Sequence, residues 1–376
     1  MKTFSYTPRD GWSQRPPVEL DSPQTLVLAF CAPGYYDERG PVDELSAAFP
    51  QSHVLGCSSA GEIFGAELRD ESLSCAVMRF AETRLRRAFA RVEGTAGSFA
   101  AGAAVAAQLA APDLRGVFVL SDGHTVNGTA LIRGLSAALP EELIVTGGLA
   151  ADGNRFQRTW VIRDGDLRQG EVSAVGFYGD RIHIGHGSQG GWDIFGPERM
   201  ITRSESNVLF ELDGRPALEL YKEYLGELAA GLPATALLFP LAVRTPGDER
   251  QTVRTVLGVD ERNSSMTFAG DVPAGAMAQL MKANFDRLVQ GAAHAALATR
   301  ANTPEDVDVL AVAISCVGRR LVLNERTEEE LEVTVETLPR RSHLVGFYSY
   351  GEISPYGDGR CELHNQTMTL TTFAEP

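Results

Sequence analysis

The sequence predicts an α/β protein of two related halves, built from repeated strand-helix-strand units on mixed sheets. Two observations support this prediction. Four helix-like runs end at a Leu-Pro or Phe-Pro dipeptide, and an apolar, strand-like run follows each within a few residues. Another apolar run lies upstream of each dipeptide. Helices between apolar strands indicate crossover connections, because a tight turn cannot reach a parallel neighbour.

Proline defines the end of the helix in each unit. It biases the preceding residue away from helical geometry, and it lacks the N–H that a continuing helix needs. The four dipeptides are Phe49-Pro50, Leu139-Pro140, Leu232-Pro233 and Leu338-Pro339. The strand-like runs after them cover residues 53–63, 143–153, 235–243 and 343–353, and the upstream runs start at Thr25, Gly116, Asn207 and Val307.

Two further segments alternate between apolar and polar residues, at 72–82 and 366–375. They follow the first and the last unit, and both end in Phe-Ala-Glu. Alternation of this kind is typical of antiparallel strands with one face exposed. We therefore expect two half-exposed antiparallel strands at these positions.

Composition limits the classes of partner. The chain has 376 residues, 34 basic and 49 acidic, with a net charge of −15. No run of Lys and Arg is longer than a pair, so nucleic acid and anionic membranes are poor partners. The most apolar helix candidate, 99–111, is too short to span a membrane, and no signal pattern opens the chain. We expect a cytoplasmic protein.

The cysteines and one glycine-rich run give only weak indications of function. Five cysteines without C-x-x-C spacing argue against a disulfide framework or a structural zinc site. Cys31, Cys57 and Cys316 lie at strand exits and could serve as nucleophiles, although packing is the more common role of such thiols. The glycine-rich run at 185–190 fits a dinucleotide-binding pattern, but further glycines and Pro197 follow where a helix should begin.

The clearest internal match lies between the first and the last unit. Residues 56–63 read GCSSAGEI, and residues 346–353 read GFYSYGEI. A strand that ends in a glycine-rich loop with a serine and a carboxylate can bring backbone N–H groups close to a bound molecule. Ligands in sheets with crossover helices usually lie beyond the carboxyl ends of strands. Alternatively, the glycines only form tight turns and the Glu side chain is solvated.

Several motifs in order resemble the FIST sensory proteins, and the likeness covers the chain from about Gln24 to its end. The motifs are GCSSAGEI at 56–63, Gly191-Trp192 with FGP at 195–197, FAGDVP at 268–273, SCVGR at 315–319, GFYSYGEI at 346–353 and HNQT at 364–367. The resemblance implies an N-terminal extension at 1–23, a FIST N-terminal domain at 24–213 and a FIST C-terminal domain at 214–376.

The resemblance also implies a function. It predicts a sensor, not an enzyme, that binds a small ligand such as an amino acid and signals through a separate protein. One alternative is a haem-based nitric-oxide sensor that regulates a histidine kinase, with His364 and His183 as axial ligands. A cysteine-dependent enzyme and a structural scaffold are further alternatives. Ligand, partner and oligomeric state are not fixed by the sequence.

We expect the two matching loops to form the walls of one ligand pocket. Arg319 and Asn365 would add polar contacts, Arg319 to an acidic group of the ligand, while Glu62 or Glu352 would pair with an amine. An amino acid satisfies both requirements. The full set of expected ligand-binding residues is Gly56, Cys57, Ser58, Gly61, Glu62, Arg319, Gly346, Tyr348, Gly351, Glu352 and Asn365.

Overall fold

The same chain path occurs three times in the computed structural model, which describes residues 1–247, 251–356 and 359–376. Each copy begins with two parallel strands joined by a crossover helix. A short hairpin follows, and the copy then returns with a strand antiparallel to its first strand. We call the copies the first, second and third repeats.

The first repeat follows an N-terminal hairpin of β1 (Lys2–Thr7) and β2 (Gly11–Trp12). A proline near its start favours helix α1, and Phe49 ends that helix before Pro50. The elements of the repeat are β3 (Thr25–Cys31), α1 (Gly40–Ala48), β4 (His53–Ser58), β5 (Glu62–Phe64), β6 (Glu67–Arg69) and β7 (Leu73–Arg79).

The second repeat is preceded by β8 (Arg84–Arg91) and α2 (Ser98–Leu109). Its crossover helix begins at Asn127, whose side chain accepts a hydrogen bond from the Ala130 N–H at 2.9 Å. The elements are β9 (Leu114–Ser121), α3 (Gly128–Ser136), β10 (Ile144–Leu149), β11 (Val161–Arg163), β12 (Asp166–Arg168) and β13 (Glu171–Tyr178), followed by β14 (His183–Gln189).

Residues 192–283 form a separate antiparallel sheet, which we call the inserted domain. Its core packs around α4 and includes Tyr221 and Phe268, both fully buried. The elements are β15 (Trp192–Ile194), β16 (Arg199–Glu205), β17 (Val208–Leu212), β18 (Arg215–Pro216), α4 (Ala217–Leu225), β19 (Leu241–Arg244), β20 (Thr252–Arg254), β21 (Val256–Asp260), β22 (Ser265–Phe268) and β23 (Met277–Ala283).

The third repeat follows the inserted domain, after helix α5 (Phe285–Thr299). Two helices take the place of the single crossover helix between its parallel strands. The elements are β24 (Val309–Cys316), α6 (Val317–Leu323), α7 (Thr327–Thr337), β25 (Ser342–Ser349), β26 (Gly351–Pro355), β27 (Cys361–His364) and β28 (Met368–Ala374).

Each repeat gives its hairpin to the sheet of another repeat. Strand β5 of the first repeat pairs with β25 of the third, β11 of the second pairs with β4 of the first, and β26 of the third pairs with β10 of the second. The exchange is cyclic. It brings the exits of β4, β10 and β25 close together. Strands β5 and β26 start within a few residues of β4 and β25, and the longer segment before β11 returns to β4, where the Ser58 N–H donates to the Trp160 carbonyl at 3.0 Å.

The three sheets enclose a central apolar core. Phe30 of the first sheet stacks on Phe347 of the third at 4.8 Å between ring centroids. Phe373 of the third sheet contacts Phe118 and Phe177 of the second, at 5.9 and 4.7 Å. Buried apolar residues of helices α2, α3, α5 and α7 form another cluster on the outer side of the second and third sheets. Burial of apolar side chains on both faces of the sheets stabilises the packing of the repeats.

The predicted α/β class and the repeated units on mixed sheets are confirmed. The fourth predicted unit is wrong, because the repeat occurs three times within the described residues. The run at 235–243 begins as a 3₁₀ helix, Ala234–Leu238, before strand β19, and the run from Asn207 forms an antiparallel hairpin strand. Apolar composition alone did not separate these segments from parallel strands.

The two alternating segments are antiparallel strands, as predicted, but they are not half exposed. Strand β7 is buried from Leu73 to Met78, and β28 is buried throughout. Small side chains such as Ser74, Thr369 and Thr371 occupy the polar positions, and these side chains are fully buried. No helix in the described ranges is long and apolar enough to cross a membrane.

Candidate functional site

The loops after several strands meet at one end of the central core. The Ser59 N–H donates to the Cys31 carbonyl at 2.9 Å, which joins the exits of β4 and β3. The Ala60 N–H donates to the Tyr348 carbonyl at 2.8 Å, and the Ala151 N–H donates to the Ser58 carbonyl at 3.0 Å. The two matching loops of the sequence therefore lie in direct contact, and the exit of β10 contacts the first of them.

A cleft of about 680 Å³ opens above this junction, and we call it the exit cleft. Its walls come from segments that follow β3, β4, β10 and β24, so it lies beyond the carboxyl ends of these strands. Five of its lining residues are acidic and two are arginines. These are Glu38, Glu62, Asp70, Glu71 and Asp152, with Arg155 and Arg320.

Glu62 is the buried carboxylate of the exit cleft, with 1% of its surface exposed. The Ser59 hydroxyl donates to one oxygen, and the Ser72 N–H and hydroxyl donate to the other at 3.0 and 2.9 Å. No basic side chain of the described residues forms an ion pair with Glu62. Burial raises its pKa to about 7, and the serine hydrogen bonds oppose that rise.

Glu352 has the same arrangement in the third repeat. The Ser349 hydroxyl donates to one oxygen at 2.6 Å, and the Thr367 N–H and hydroxyl donate to the other at 3.2 and 2.9 Å. Burial raises its pKa to about 8. Glu352 does not line the exit cleft. The two glutamates thus form a pair of equivalent side chains, of which one lines the cleft and the other does not.

Asp152 comes from the second repeat and contrasts with Glu62. Its oxygens accept hydrogen bonds from the backbone N–H groups of Gln157 and Arg158, at 2.7 and 2.8 Å, and from the Tyr350 hydroxyl. The His124 Nε2 lies 3.3 Å from it. Burial alone would raise the pKa of Asp152, but these hydrogen bonds hold it well below its usual range. Asp152 is therefore an anion at neutral pH.

Two arginines supply the positive charge of the cleft. Arg320 pairs with Asp70 at 2.6 Å and also donates to the Ala60 carbonyl, so both ends of its guanidinium are engaged. Arg155 is exposed, and within the described ranges it has no carboxylate at ion-pair distance. Arg155 is thus the cleft cation that is available to an anionic group.

The predicted ligand-binding residues separate into two groups. Gly61 and Glu62 line the exit cleft, as does the neighbouring Ser59. The others do not line it. Gly56, Cys57 and Ser58 lie in strand β4, Gly346 and Tyr348 lie in β25, Gly351 and Glu352 lie in β26, and Arg319 and Asn365 are buried elsewhere.

Arg319 does not face the cleft, contrary to expectation, because it is fully buried in an ion pair with Glu330 at 2.7 Å. The Tyr348 hydroxyl donates to the same glutamate, also at 2.7 Å. Asn365 is 1% exposed, and neither of its amide atoms has a hydrogen-bond partner among the described residues. The glycine-rich strand of the third repeat therefore contributes no residue to the lining of the cleft.

Sequence reasoning missed the residues that line the cleft from the second repeat and from α6. The sequence prediction selected Arg319 and not its neighbour Arg320, and the segment 152–155 carries no recognisable motif. A helix at residues 317–323 would have indicated that Arg319 and Arg320 face different directions. Adjacent residues on a helix point about 100° apart, so only one of the two arginines can face a given cleft.

Neither histidine proposed for haem has the required surroundings. His364 is buried, with its Nε2 2.9 Å from the Ser354 carbonyl, and burial lowers its pKa to about 4. His183 is exposed on β14. The described residues contain no cluster of three or more His, Cys, Asp or Glu side chains that could hold a metal ion.

The cysteines are protonated packing residues. Four are buried, and Cys361 is partly buried. Burial raises the pKa of Cys31, Cys57 and Cys316, so their reactive thiolate forms are scarce at neutral pH. Arg319 lowers the pKa of Cys316, but burial and the charge of Glu352 outweigh this effect.

Comparison with known proteins agrees with the motif order. A family model described as the FIST N domain matches residues 25–215, and one described as the FIST C domain matches 217–355. An uncharacterized protein of Methanocaldococcus jannaschii is 24% identical over 241 residues, which covers 55% of this chain and 44% of that protein. The chain thus matches less than half the length of this relative.

One solved structure is similar over most of the chain. It is the cyanuric acid hydrolase of A. caulinodans, with 10% sequence identity and a TM-score of 0.34, covering 93% of this chain and 89% of that one.

Proposed function

Since this chain belongs to the FIST family of sensory domains that bind small ligands in signalling proteins, we propose that its ligand is an amino acid or related amine bound in the exit cleft. One observation carries the proposal. Glu62 lines the cleft as a buried carboxylate with three hydrogen-bond donors and no ion-pair partner among the described residues. An ammonium group would supply the missing positive charge.

The two ends of an amino acid fit different walls of the cleft. Its ammonium group would pair with Glu62, and its carboxylate would bind Arg155, which has no ion-pair partner in the part of the chain that the structure describes. Arg320 contributes less to ligand binding, because Asp70 and the Ala60 carbonyl already occupy its donors. The volume of the cleft lies within the range of small-molecule sites.

The charge of the cleft selects among amino acids. Five acidic and two basic residues line it, and Asp152 remains ionised at neutral pH. An additional carboxylate on the ligand would meet repulsion, whereas an additional amine would not. We therefore expect basic and neutral amino acids to bind more tightly than aspartate or glutamate.

Calorimetry and thermal shift over an amino-acid panel test this proposal. We expect saturable stabilisation by at least one basic or neutral amino acid at millimolar concentration. Glu62→Gln should weaken binding about ten-fold or more, in the range lost when one partner of a charged pair is removed. If no member of the panel stabilises the protein, the proposed ligand class is wrong.

The matched control is Glu352→Gln. It removes an equally buried carboxylate with the same hydrogen-bond pattern, but outside the exit cleft. It should leave ligand affinity within about two-fold of wild type, because the contacts of the ligand are unchanged. Equal losses in both variants would assign the effect to general stability.

We further propose that the output passes to a separate signalling protein, with a histidine kinase as the specific candidate. Ligand in the exit cleft would contact segments of all three repeats, and these segments are linked by backbone hydrogen bonds. Ligand could thus change the arrangement of the repeats. Measuring kinase autophosphorylation with and without ligand, using wild type and Glu62→Gln, tests this step.

The haem and cysteine alternatives have direct tests. A haem-based nitric-oxide sensor would show a Soret band that moves on addition of nitric oxide, and the band should be lost in His364→Ala or His183→Ala. A cysteine-dependent enzyme would contain one rapidly labelled thiol. The burial of His364 and of Cys57 favours neither result.

A further inference from the structure

A second cleft lies between the second repeat and the inserted domain, and we call it the interdomain cleft. Its volume is about 580 Å³. Helix α3 and the segment after it form one wall, β19 and β20 form the opposite wall, and β27 closes one side. It shares no lining residue with the exit cleft.

Aliphatic side chains form much of its surface. They come from both of its walls, so the cleft offers an apolar slot without aromatic rings among its described lining residues. These side chains are Ile132, Leu139, Leu143, Val145, Val243 and Leu363. Surfaces of this kind favour an aliphatic chain over a sugar or a nucleotide base.

Arg254 is a charged residue of this slot, and it is 94% buried, with 6% of its surface exposed. Its Nε donates to the Asp271 carbonyl at 2.9 Å, and its Nη1 donates to the carbonyls of Val253 and Leu363 at 3.3 and 3.2 Å. No carboxylate of the described residues forms an ion pair with it, and its Nη2 donates to none of them. A buried guanidinium without an anion is costly.

The acidic residues that line the cleft are Glu141, Asp271 and Glu362, and the negative charges of Glu362 and Asp271 help to keep Arg254 charged. Glu141 accepts from Arg360 at 2.7 Å. Asp271 accepts from the Asn127 side chain at 3.0 Å and from the Ser206 hydroxyl at 3.1 Å, and Arg133 lies 3.9 Å from its other oxygen. Asp271 thus links the inserted domain to the start of α3, Glu141 links the segment after α3 to Arg360, and no ion pair joins either carboxylate to Arg254.

We propose that the interdomain cleft is a second ligand site, which binds a small aliphatic carboxylate through Arg254. The carboxylate of the ligand would accept from the Nη2 of Arg254, and its hydrocarbon chain would cover the aliphatic slot. Both walls would contact the same molecule. Binding there would therefore strengthen the attachment of the inserted domain to the second repeat.

Titration with octanoate tests this proposal, with hexanoate, butyrate and octylamine as comparisons. We expect one saturable site for octanoate, and affinity that falls roughly four-fold for each methylene removed, as expected for burial of a methylene. Octylamine has the same chain and the opposite charge, so it should not bind at the same concentrations. Equal binding of octanoate and octylamine, or no saturable binding at 10 mM as an order-of-magnitude limit, would overturn the proposal.

Two variants locate the site. Arg254→Gln should reduce octanoate affinity about ten-fold or more, by loss of the charged partner. Ser136→Glu places a new carboxylate at an exposed position of the cleft wall and should weaken binding several-fold without disturbing the core. If Arg254→Gln does not fold, wild-type octanoate affinity in Ser136→Glu contradicts the site. Arg340→Gln, an exposed change outside both clefts, is the charge control.

Competition separates the two clefts. Octanoate should bind equally well in the presence of a saturating amino acid, because the two sites share no lining residue. Displacement of one ligand by the other would show a single site and would contradict the inference.

Discussion

The Arg319 guanidinium and the Glu330 carboxylate form an ion pair, 2.7 Å apart, in which both side chains are fully buried. Ser315 and Tyr348 donate to the second oxygen of the same glutamate, at 3.0 and 2.7 Å. Arg319 also donates to the Leu288 carbonyl at 2.8 Å. This network joins β24, β25, α5, α6 and α7.

Removal of the arginine should destabilise the protein strongly. Arg319→Met leaves Glu330 charged and without its partner, and we expect a loss of about 3–5 kcal/mol in the free energy of unfolding. Unfolding by guanidinium chloride measures this loss of free energy. Arg340→Met is the control, since Arg340 is exposed, and a loss of similar size there would contradict the role given to the ion pair.

The stability of the protein should depend on pH through Glu62. Its pKa rises from 4.5 to about 7 on folding, so the folded state keeps a proton that the unfolded state has released. Stability contributed by this group therefore falls as pH rises from about 4.5 to 7 and then levels off. Glu62→Gln should remove this fall. Unfolding curves at pH 5 and pH 8 should show the variant gaining stability relative to wild type, and a constant difference would contradict the shift.

Ligand binding should show the opposite dependence on pH. An ammonium group binds the ionised form of Glu62, so affinity for the amino acid should rise as pH increases from about 6 to 8. Calorimetry across this range measures the change. The slope should be absent in Glu62→Gln, and a slope that persists there would assign it to another group.

Gly346 should be required for strand pairing, not for ligand contact. A Cβ at this position would lie 1.9 Å from the Ala313 carbonyl oxygen of the neighbouring parallel strand. Gly346→Ala must therefore push the two strands apart, and we expect a loss of at least about 2 kcal/mol in unfolding free energy. Gly258→Ala is the matched control, because a Cβ there meets no atom within 4 Å. Equal stability of the two variants would show that the strands adapt.

Local signals in the sequence were sufficient for much of the architecture. The run from Thr25 became β3, and the prolines at 50, 140 and 339 each precede a parallel strand. These features depend on short-range physics, namely apolar runs and the absent N–H of proline. The same signals failed after Pro233, where the apolar segment begins with a 3₁₀ helix and not with a parallel strand.

The candidate site was only partly predictable. The Ser59 and Glu62 loop was identified from its sequence, and it does line the cleft. Its counterpart with Ser349 and Glu352 has the same local hydrogen bonds but does not line the cleft. Identical local geometry therefore arises in two environments, and only the neighbouring elements distinguish them.

By itself, the sequence determined the class of fold, the family and the loop that holds Glu62, because these depend on residues close together in the chain. The tertiary structure alone decided that hairpins are exchanged among three repeats and that Arg320, not Arg319, faces the cleft. The physical reason is distance along the chain: β5 pairs with β25, and Arg319 is buried by α5 and α7. Local propensity contains no information about such partners.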